Sequence, residues 1–214
     1  MMIVFYSLVT IFVMVLLIVL VMNNDKVERR NIAVYSGSFN PLHIGHKTII
    51  NTLSKKFDWV YLIVTPQNPL KNKIETSPKD RSEAAYKAVI KNGFYNVSVN
   101  NIENEMLPPY YTINTLKELS KRNENGIFTL AIGADNLTNI REWKDYDIIL
   151  KEYGVLVFPR GAEDIQYLEA LKDELLLEDK NYKIEIEHTI TPSISSTEIR
   201  NAIEKGDNVE HLLM

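Results

Sequence analysis

The sequence contains no cysteine among its 214 residues. This absence excludes disulfide bonds, thiolate metal ligands and cysteine nucleophiles, and it fits a reducing compartment. A surplus of basic residues is also missing: there are 24 lysines and arginines against 28 aspartates and glutamates, for a net charge of −4. No broad basic surface for nucleic acid is therefore expected. Internal repeats and low-complexity tracts are absent too, and any catalysis has to rest on histidine, lysine, arginine, hydroxyl and backbone groups.

Residues 1–22 carry no charged side chain. A run of about 20 apolar residues is long enough to cross the hydrocarbon core of a bilayer. Lys26, Arg29 and Arg30 follow it, and by the positive-inside tendency they predict a cytoplasmic position for the rest of the chain. A cleaved signal peptide fits poorly, because a basic leading region and a small-residue cleavage site are both missing. Two interpretations stay open: a membrane anchor, or a start assigned too far upstream of a true start at Met22.

Apolar runs of strand length alternate with segments of helical periodicity along the rest of the chain. The predicted strands are residues 32–35, 59–64, 97–99, 127–132, 155–158 and 184–186. The predicted helical segments are residues 47–57, 78–91, 113–122, 137–151 and 164–177, with a last helix after Ser195. This alternation predicts an α/β fold with a Rossmann-like, doubly wound parallel sheet. We expect one domain over residues 32–214, joined by a linker, residues 23–31, to the hydrophobic segment.

The loop after the first predicted strand combines small residues with two histidines. Strand, loop and helix N-terminus follow one another here, and this order leaves unpaired backbone N–H groups that bind phosphate. Gly37 and Gly45 allow a ligand to approach the backbone closely. His43 and His46 lie three residues apart, so on a first helical turn they would share a face, and both imidazoles could donate to one phosphoryl group. No general base or carboxylate cluster is evident at this loop.

A second helix N-terminus with anion-binding character is predicted at residues 194–200. Ser195 and Glu198 match a capping box, which explains both residues structurally. The cap does not explain Ser196, Thr197 and Arg200, which place two hydroxyls and a guanidinium at a dipole end that favours anions. Ligands of doubly wound sheets bind at the carboxyl edge, where the strand order reverses. We expect the two helix starts to converge there on one triphosphate.

Both stretches resemble signatures of the HxGH nucleotidyltransferase superfamily. Residues 38–46 read Ser-Phe-Asn-Pro-x-His-x-Gly-His, and residues 194–200 match the second signature, ISSTxIR. Over residues 32–213 the chain resembles the nicotinate (or nicotinamide) mononucleotide adenylyltransferases. That likeness also rests on residues 65–71, 111–116 and 133–137 and on Trp143. It implies an enzyme that joins ATP to a pyridine mononucleotide and releases pyrophosphate.

The resemblance implies a role for each matching residue. Catalytic roles are implied for His43, His46 and Arg200. The residues expected to bind ATP are Gly37, Ser38, Phe39, Gly45, Ser195, Ser196 and Thr197. The residues expected to bind the mononucleotide are Asn40, Lys71, Thr112, Gly133, Asp135 and Trp143, the last by stacking on the pyridine ring. Mg²⁺ is the expected cofactor, held mainly by the ATP phosphates and by no metal-ligating side chain of the protein.

The sequence departs from the family pattern at several points. Ser36 stands where glycine is common, Leu70 replaces a frequent histidine, and Pro-Arg-Gly at residues 159–161 permutes the usual Arg-Pro-Gly. Relatives usually continue beyond Met214 with a further short helix, so the C-terminal packing is expected to differ. Arg81, on the first turn of the helix predicted over residues 78–91, is expected to be structural.

Several functional alternatives stay open from the sequence. The choice between nicotinate and nicotinamide is not fixed by any residue, although resemblance to bacterial-type enzymes favours the acid. Phosphopantetheine adenylyltransfer, cytidylyltransfer to a small phosphate, and a membrane-tethered module that binds nucleotide without catalysis are the other candidates. Trp143 and the Tyr-Thr pair at residues 111–112 favour a substrate with a flat aromatic ring. The oligomeric state is also open.

Overall fold

A computed structural model of the protein describes residues 13–15, 28–67 and 76–214. The strands are β1 (Arg30–Gly37), β2 (Trp59–Val64), β3 (Val97–Asn100), β4 (Gly126–Gly133), β5 (Val155–Phe158) and β6 (Ile184–Ile186). The α-helices of five or more residues are α1 (Ile44–Lys56), α2 (Pro78–Lys91), α3 (Thr112–Arg122), α4 (Ala134–Thr138), α5 (Ala162–Glu178) and α6 (Ser196–Glu204). The other helical segments are Ile102–Glu105, Ile140–Glu142, Tyr146–Ile148, the π-helix Ile149–Tyr153 and Glu210–Leu212.

The strands form one sheet in the order β3-β2-β1-β4-β5-β6, and every pairing within the described residues is parallel. The order runs outward in one direction from β1 to β3 and in the other from β4 to β6. It therefore reverses between β1 and β4, which pair at the centre of the sheet. The predicted doubly wound parallel sheet is confirmed, and its reversal point places the C-terminal ends of β1 and β4 side by side.

The core lies on both faces of the sheet. In β1, Ile32 and Val34 belong to one buried cluster, while Ala33 and Tyr35 belong to the other. Successive side chains of a strand point to opposite faces, so a strand covered on both sides has to be apolar throughout. Residues of α1 and α2 pack on one face, and residues of α3, α4 and α5 pack on the other. This arrangement leaves the carboxyl edge of the sheet to the loops.

The start of α1 differs from the sequence prediction, whereas the helical segments predicted over residues 137–151 are present. Helix α1 begins at Ile44 rather than at Lys47, and His43 is its extended N-cap, with φ −139° and ψ 175°. The expectation that His43 lies on the first helical turn is therefore wrong. Residues 137–151 form several short helical pieces, and Asp145 adopts a left-handed conformation between two of them, with φ 53°. Left-handed backbone does not continue a right-handed helix, so the chain changes direction there.

Arg81 has the structural role expected of it. Its side chain is only 2% exposed, and its guanidinium donates to the backbone carbonyls of Ser38 (2.6 Å), Thr65 (2.9 Å), Pro66 (3.0 Å) and Thr76 (3.2 Å). These carbonyls belong to the loops that follow β1 and β2. A buried charge is stable when it is hydrogen-bonded in this way, and Arg81 fixes the two loops relative to each other.

The linker over residues 23–31 is described only from residue 28, and the hydrophobic segment over residues 1–22 only at residues 13–15. Among the described residues, no helix has the length and the apolar composition that crossing a membrane requires.

Candidate active site

Two helix N-termini meet at the carboxyl edge of the sheet. The Ser196 hydroxyl, at the start of α6, donates to the carbonyl of Pro41 (3.0 Å) in the loop before α1. The Arg200 guanidinium donates to the carbonyl of Asn40 (2.8 Å) and to the hydroxyl of Thr197 (3.0 Å). The predicted convergence of the two helix starts is thus present in the fold. We call this part of the site the phosphate half and define it by His43, His46, Ser196, Thr197 and Arg200.

The two histidines are held together by the geometry of the helix cap. The backbone N–H of His43 donates to Nδ1 of His46 (3.2 Å), and the two ring centroids are 3.7 Å apart. Because Nδ1 of His46 accepts this bond, the neutral ring carries its proton on Nε2. His43 is 5% exposed, and its Nδ1 has no hydrogen-bond partner within the described residues. The side chains come together as the sequence predicted, although through a cap rather than through a shared helical turn.

The charge of the phosphate half comes from arginine rather than from histidine. Burial lowers the pKa of His43 to about 4, with a smaller opposing effect from the Glu198 carboxylate. His43 is therefore a neutral donor at neutral pH. Glu198 caps α6: its carboxylate accepts from the backbone N–H of Ser195 (2.7 Å), and this capping box was predicted. Its bonds to Ser195 hold the pKa of Glu198 below its usual range. Arg200 supplies the cation at this helix start.

Phe39 packs against the ring of His46. Its side chain is 3% exposed, and its ring packs edge-on against His46, with centroids 5.2 Å apart, and against Tyr35, with centroids 5.3 Å apart. Burial also raises the pKa of Tyr35, so this phenol stays protonated. Phe39 was expected to bind ATP, and its buried side chain leaves the backbone as the part that a ligand can approach.

The three glycines of the site differ in what surrounds them. A Cβ on Gly37 would lie 3.0 Å from the ring of Phe39, and a Cβ on Gly45 would lie 3.0 Å from the ring of His43. Packing within the protein thus disfavours a side chain at both glycines, besides the ligand approach expected from the sequence. A Cβ on Gly133 would meet no atom within 4 Å. Nothing in the described protein accounts for the absence of a side chain there.

The residues expected to bind the mononucleotide lie on neighbouring elements. Thr112 is the first residue of α3, and Gly133 ends β4 at the start of α4. The Lys144 ammonium lies 5.1 Å from the centroid of the Tyr111 ring, so the segment that carries Trp143 reaches the start of α3. The indole of Trp143 is half-buried and packs against the core. We call Tyr111, Thr112, Gly133, Asp135 and Trp143 the mononucleotide half. Lys71, also expected in this part of the site, lies outside the described residues.

Arg160 connects the two halves, and it was not among the site residues predicted from the sequence. It follows β5 and forms an ion pair with Asp135, on the first turn of α4. Its charge also acts on His43 and Glu198, since it contributes to lowering the pKa of each. The available signal was a basic residue two positions after a buried strand, at the edge where ligands bind. In the sequence, Arg160 stands out only as part of the permuted Pro-Arg-Gly motif.

The C-terminal residues contact the end of the loop before α1. Leu213 forms an antiparallel bridge with His43, and the backbone N–H of Met214 donates to the carbonyl of Leu42 (3.4 Å). The C-terminal backbone thus contacts the residue that caps α1.

The donors of the site suit phosphate oxygens better than a metal ion. They are imidazole, guanidinium and hydroxyl groups at two helix N-termini, the set that binds anions. Among residues 28–67 and 76–214, no three histidine, aspartate or glutamate side chains are grouped to hold a metal ion. These donors would bind the phosphate oxygens of a nucleotide that carries a divalent cation.

Sequence comparison finds similar proteins across most of the chain. The profile of the cytidylyltransferase-like family matches residues 34–202. The probable nicotinate-nucleotide adenylyltransferase of Flavobacterium johnsoniae is 33% identical over 184 residues, which are 85% of this chain and 91% of that protein. The corresponding protein of Porphyromonas gingivalis is 35% identical over 184 residues, 84% of this chain and 87% of that one.

Solved structures share the fold. The nicotinic acid mononucleotide adenylyltransferase of Plasmodium falciparum complexed with NaAD superimposes with a TM-score of 0.66 at 20% identity, over 84% of this chain and 87% of that one. A putative nicotinate-nucleotide adenylyltransferase of Vibrio parahaemolyticus gives a TM-score of 0.58 at 21% identity, over 86% of this chain and 94% of that one. At these identities the likeness concerns the fold.

Proposed function

Since this chain belongs to the cytidylyltransferase-like family and, within it, to the nicotinate-nucleotide adenylyltransferases, we propose that it joins ATP to nicotinate mononucleotide. The products are deamido-NAD and pyrophosphate, and the reaction is a step of NAD biosynthesis. The observation that carries the proposal is the contact between the two helix N-termini, through the Ser196 and Arg200 hydrogen bonds to the loop before α1. Each helix start is a site that favours phosphate, and their contact brings the two sites together.

The reaction requires alignment more than acid–base catalysis. An oxygen of the mononucleotide 5′-phosphate attacks the α-phosphorus of ATP, the bond to the β-phosphate oxygen breaks, and pyrophosphate leaves with the electron pair. A phosphate monoester has a second pKa near ~6, so at neutral pH it is already mostly a dianion. No general base is needed, and the task of the protein is to hold the two phosphates in line and to stabilise the developing charge.

The phosphate half supplies donors for the ATP phosphates. His46 donates from Nε2, because its Nδ1 accepts the His43 backbone bond, and the neutral His43 ring donates beside it. Arg200 and Thr197, joined by a hydrogen bond, contribute a cation and a hydroxyl at the N-terminus of α6. The backbone of Ser38, Phe39 and Gly45 lines the approach. Mg²⁺ would be bound by the ATP phosphates and water, and would supply charge neutralisation there.

The mononucleotide half supplies the binding site for the second substrate. Trp143 stacks on the pyridine ring, Thr112 contacts that ring, and the Asp135 carboxylate accepts from a ribose hydroxyl. The open space at Gly133 admits the ribose close to the backbone. Asn40 and Lys71 approach the mononucleotide phosphate. Asp135 is paired with Arg160. The arginine side chain therefore has to move when a ribose hydroxyl binds to the Asp135 carboxylate.

The test is pyrophosphate release from ATP and Mg²⁺ with a panel of acceptors. We expect the highest kcat/KM with nicotinate mononucleotide, and a lower value with nicotinamide mononucleotide. Phosphopantetheine as acceptor, and CTP in place of ATP, are expected to give rates near background. Phosphopantetheine as the best acceptor would contradict the proposed substrate, and tight ATP binding without pyrophosphate release would contradict catalysis.

We propose no role in this reaction for residues 1–22, since the matching family profile begins at residue 34. The two interpretations of that segment, a membrane anchor and a start placed upstream of Met22, are separated by the intact mass of the native protein and by membrane fractionation. A mass that begins at Met22 removes the anchor.

A further inference from the structure

A glutamate that the proposed mechanism does not use is buried next to the mononucleotide half. Glu103 lies in the helical turn Ile102–Glu105, which follows β3 at the carboxyl edge of the sheet. Its side chain is 2% exposed. Burial of a carboxyl group is costly unless its oxygens are bonded, so the contacts of this group indicate what it does.

The carboxyl group joins three segments of the chain. The hydroxyl of Thr115, on the second turn of α3, donates to Oε1 of Glu103 (2.7 Å). The hydroxyl of Thr65, directly after β2, also faces this carboxyl, while Oε2 has no hydrogen-bond partner within the described residues. Among the residues that the structure describes, Glu103 forms no salt bridge. The group is thus held by neutral hydroxyls rather than by a cation.

The Glu103–Thr115 bond closes a loop that carries the start of α3. Tyr111 and Thr112 lie between the two bonded residues, in the segment that enters the mononucleotide half. The turn itself is held to the rest of the fold, because the Ser82 hydroxyl donates to the side chain of Asn101 (2.7 Å). Movement of the loop therefore requires that the Glu103 bond break or move with it.

We propose that Glu103 is a positioning residue for the mononucleotide: its bond to Thr115 fixes the loop so that Tyr111 and Thr112 present a preformed surface to the pyridine ring. The inference rests on the proposed function, because it assigns Glu103 to one substrate of that reaction. Preformed surfaces bind with less loss of conformational entropy, so loss of the bond weakens binding of the mononucleotide and leaves the ATP phosphates, bound at the other half, unaffected.

An uncharged side chain of the same shape should keep the function of Glu103. Burial raises the pKa of Glu103 and so favours its protonated form. In Glu103→Gln the amide oxygen still accepts from Thr115, and no charge has to be buried. In Glu103→Ala, and in Thr115→Val, the bond is lost from one side or the other. Glu105→Gln is the matched control: Glu105 lies in the same turn, but its carboxylate is exposed and pairs with Arg122 on the surface.

The test measures KM for nicotinate mononucleotide and KM for ATP separately in the full-length protein. Since small displacements of binding groups cost one to two orders of magnitude, we expect Glu103→Ala and Thr115→Val to raise the mononucleotide KM about tenfold. We expect the ATP KM to stay within about twofold, as in the Glu105→Gln control, and Glu103→Gln to stay close to the parent for both substrates. If Glu103→Ala does not fold, Thr115→Val and Glu103→Gln decide.

Three results would overturn the assignment: an unchanged mononucleotide KM in Thr115→Val, an equal rise of both KM values, or a Glu103→Gln protein as impaired as Thr115→Val. The equal rise is what general loosening of the fold would give. Failure of the proposed function is distinguishable from these results, because in that case the parent protein itself makes no dinucleotide.

Discussion

The two halves of the site differ in how far their ligand-binding residues also hold the fold together. In the phosphate half, Ser196 and Arg200 donate to carbonyls of the loop before α1, and His46 accepts from the backbone of His43. In the mononucleotide half, Gly133 meets no atom within 4 Å of an added Cβ, and the Asp135 carboxylate is exposed and paired only at the surface with Arg160.

This difference separates affinity from stability in one half and couples them in the other. Hydrogen bonds that assemble the phosphate half before ATP arrives reduce the reorganisation that binding requires. Through the same bonds, these residues of the phosphate half also contribute to the free energy of folding. At Gly133 and Asp135 of the mononucleotide half, substrate contacts can change while the fold stays as it is. The predictions below test this contrast, beginning with the largest expected effect.

His46→Ala should reduce turnover without unfolding the protein. The ring donates to developing charge on a phosphoryl group, and loss of one such donor typically costs about 10²–10³ in rate, or ~2.7–4 kcal/mol. The measurement is kcat for pyrophosphate release at saturating ATP and nicotinate mononucleotide, beside a thermal melt. His188→Ala, which removes an exposed histidine after β6, is the control and should match the parent. Turnover of His46→Ala within a few-fold of the parent would contradict the assigned role.

The stability of the parent should fall on mild acidification because of His43. Its pKa in the folded protein is about 4, below the ordinary 6.5, so between these pH values the unfolded chain binds more protons than the folded one. The contribution of the neutral ring is complete above pH 6.5 and is lost as the pH falls towards 4. A difference of this size corresponds to roughly 3 kcal/mol. Denaturant unfolding of the parent and of His43→Gln over this range measures it, and curves that run parallel would exclude it.

Alanine substitutions at one glycine of each half should differ in their effect on stability. In Gly45→Ala the new Cβ lies 3.0 Å from the His43 ring, and overpacking of this kind costs about 1–3 kcal/mol. We expect lower stability together with a higher KM for ATP. In Gly133→Ala the Cβ meets nothing in the protein, so the free energy of unfolding should change by less than about 0.5 kcal/mol while the mononucleotide KM rises. A stable, active Gly45→Ala protein would remove the contrast.

The sequence predicted the fold and the phosphate half far better than it predicted the connections between residues. Strand periodicity and turn residues are local, and they predicted all six strands of the described sheet and the start of α6, while α1 begins three residues earlier than predicted. Arg160 was missed because its partner, Asp135, is 25 residues away in sequence, and nothing local marks a pair across a sheet edge. Glu103 was missed for the same reason: its burial depends on Thr65 and Thr115, which other elements bring to it.

The smallest expected effect, and the most specific one, is that of Ser196→Ala. The lost hydroxyl leaves the Pro41 carbonyl without its bond from α6, and a hydrogen bond of this kind contributes about 0.5–1.5 kcal/mol. Ser98→Ala is the matched control, since the Ser98 hydroxyl accepts from the indole of Trp59 (2.9 Å) far from the ligand edge. Both variants should lose about 1 kcal/mol in denaturant unfolding, but only Ser196→Ala should also raise the KM for ATP, by a few-fold. If the ATP KM rose equally in both, general loosening would explain the effect, and the bond between the helix start and the loop would have no separate part in assembling the phosphate half.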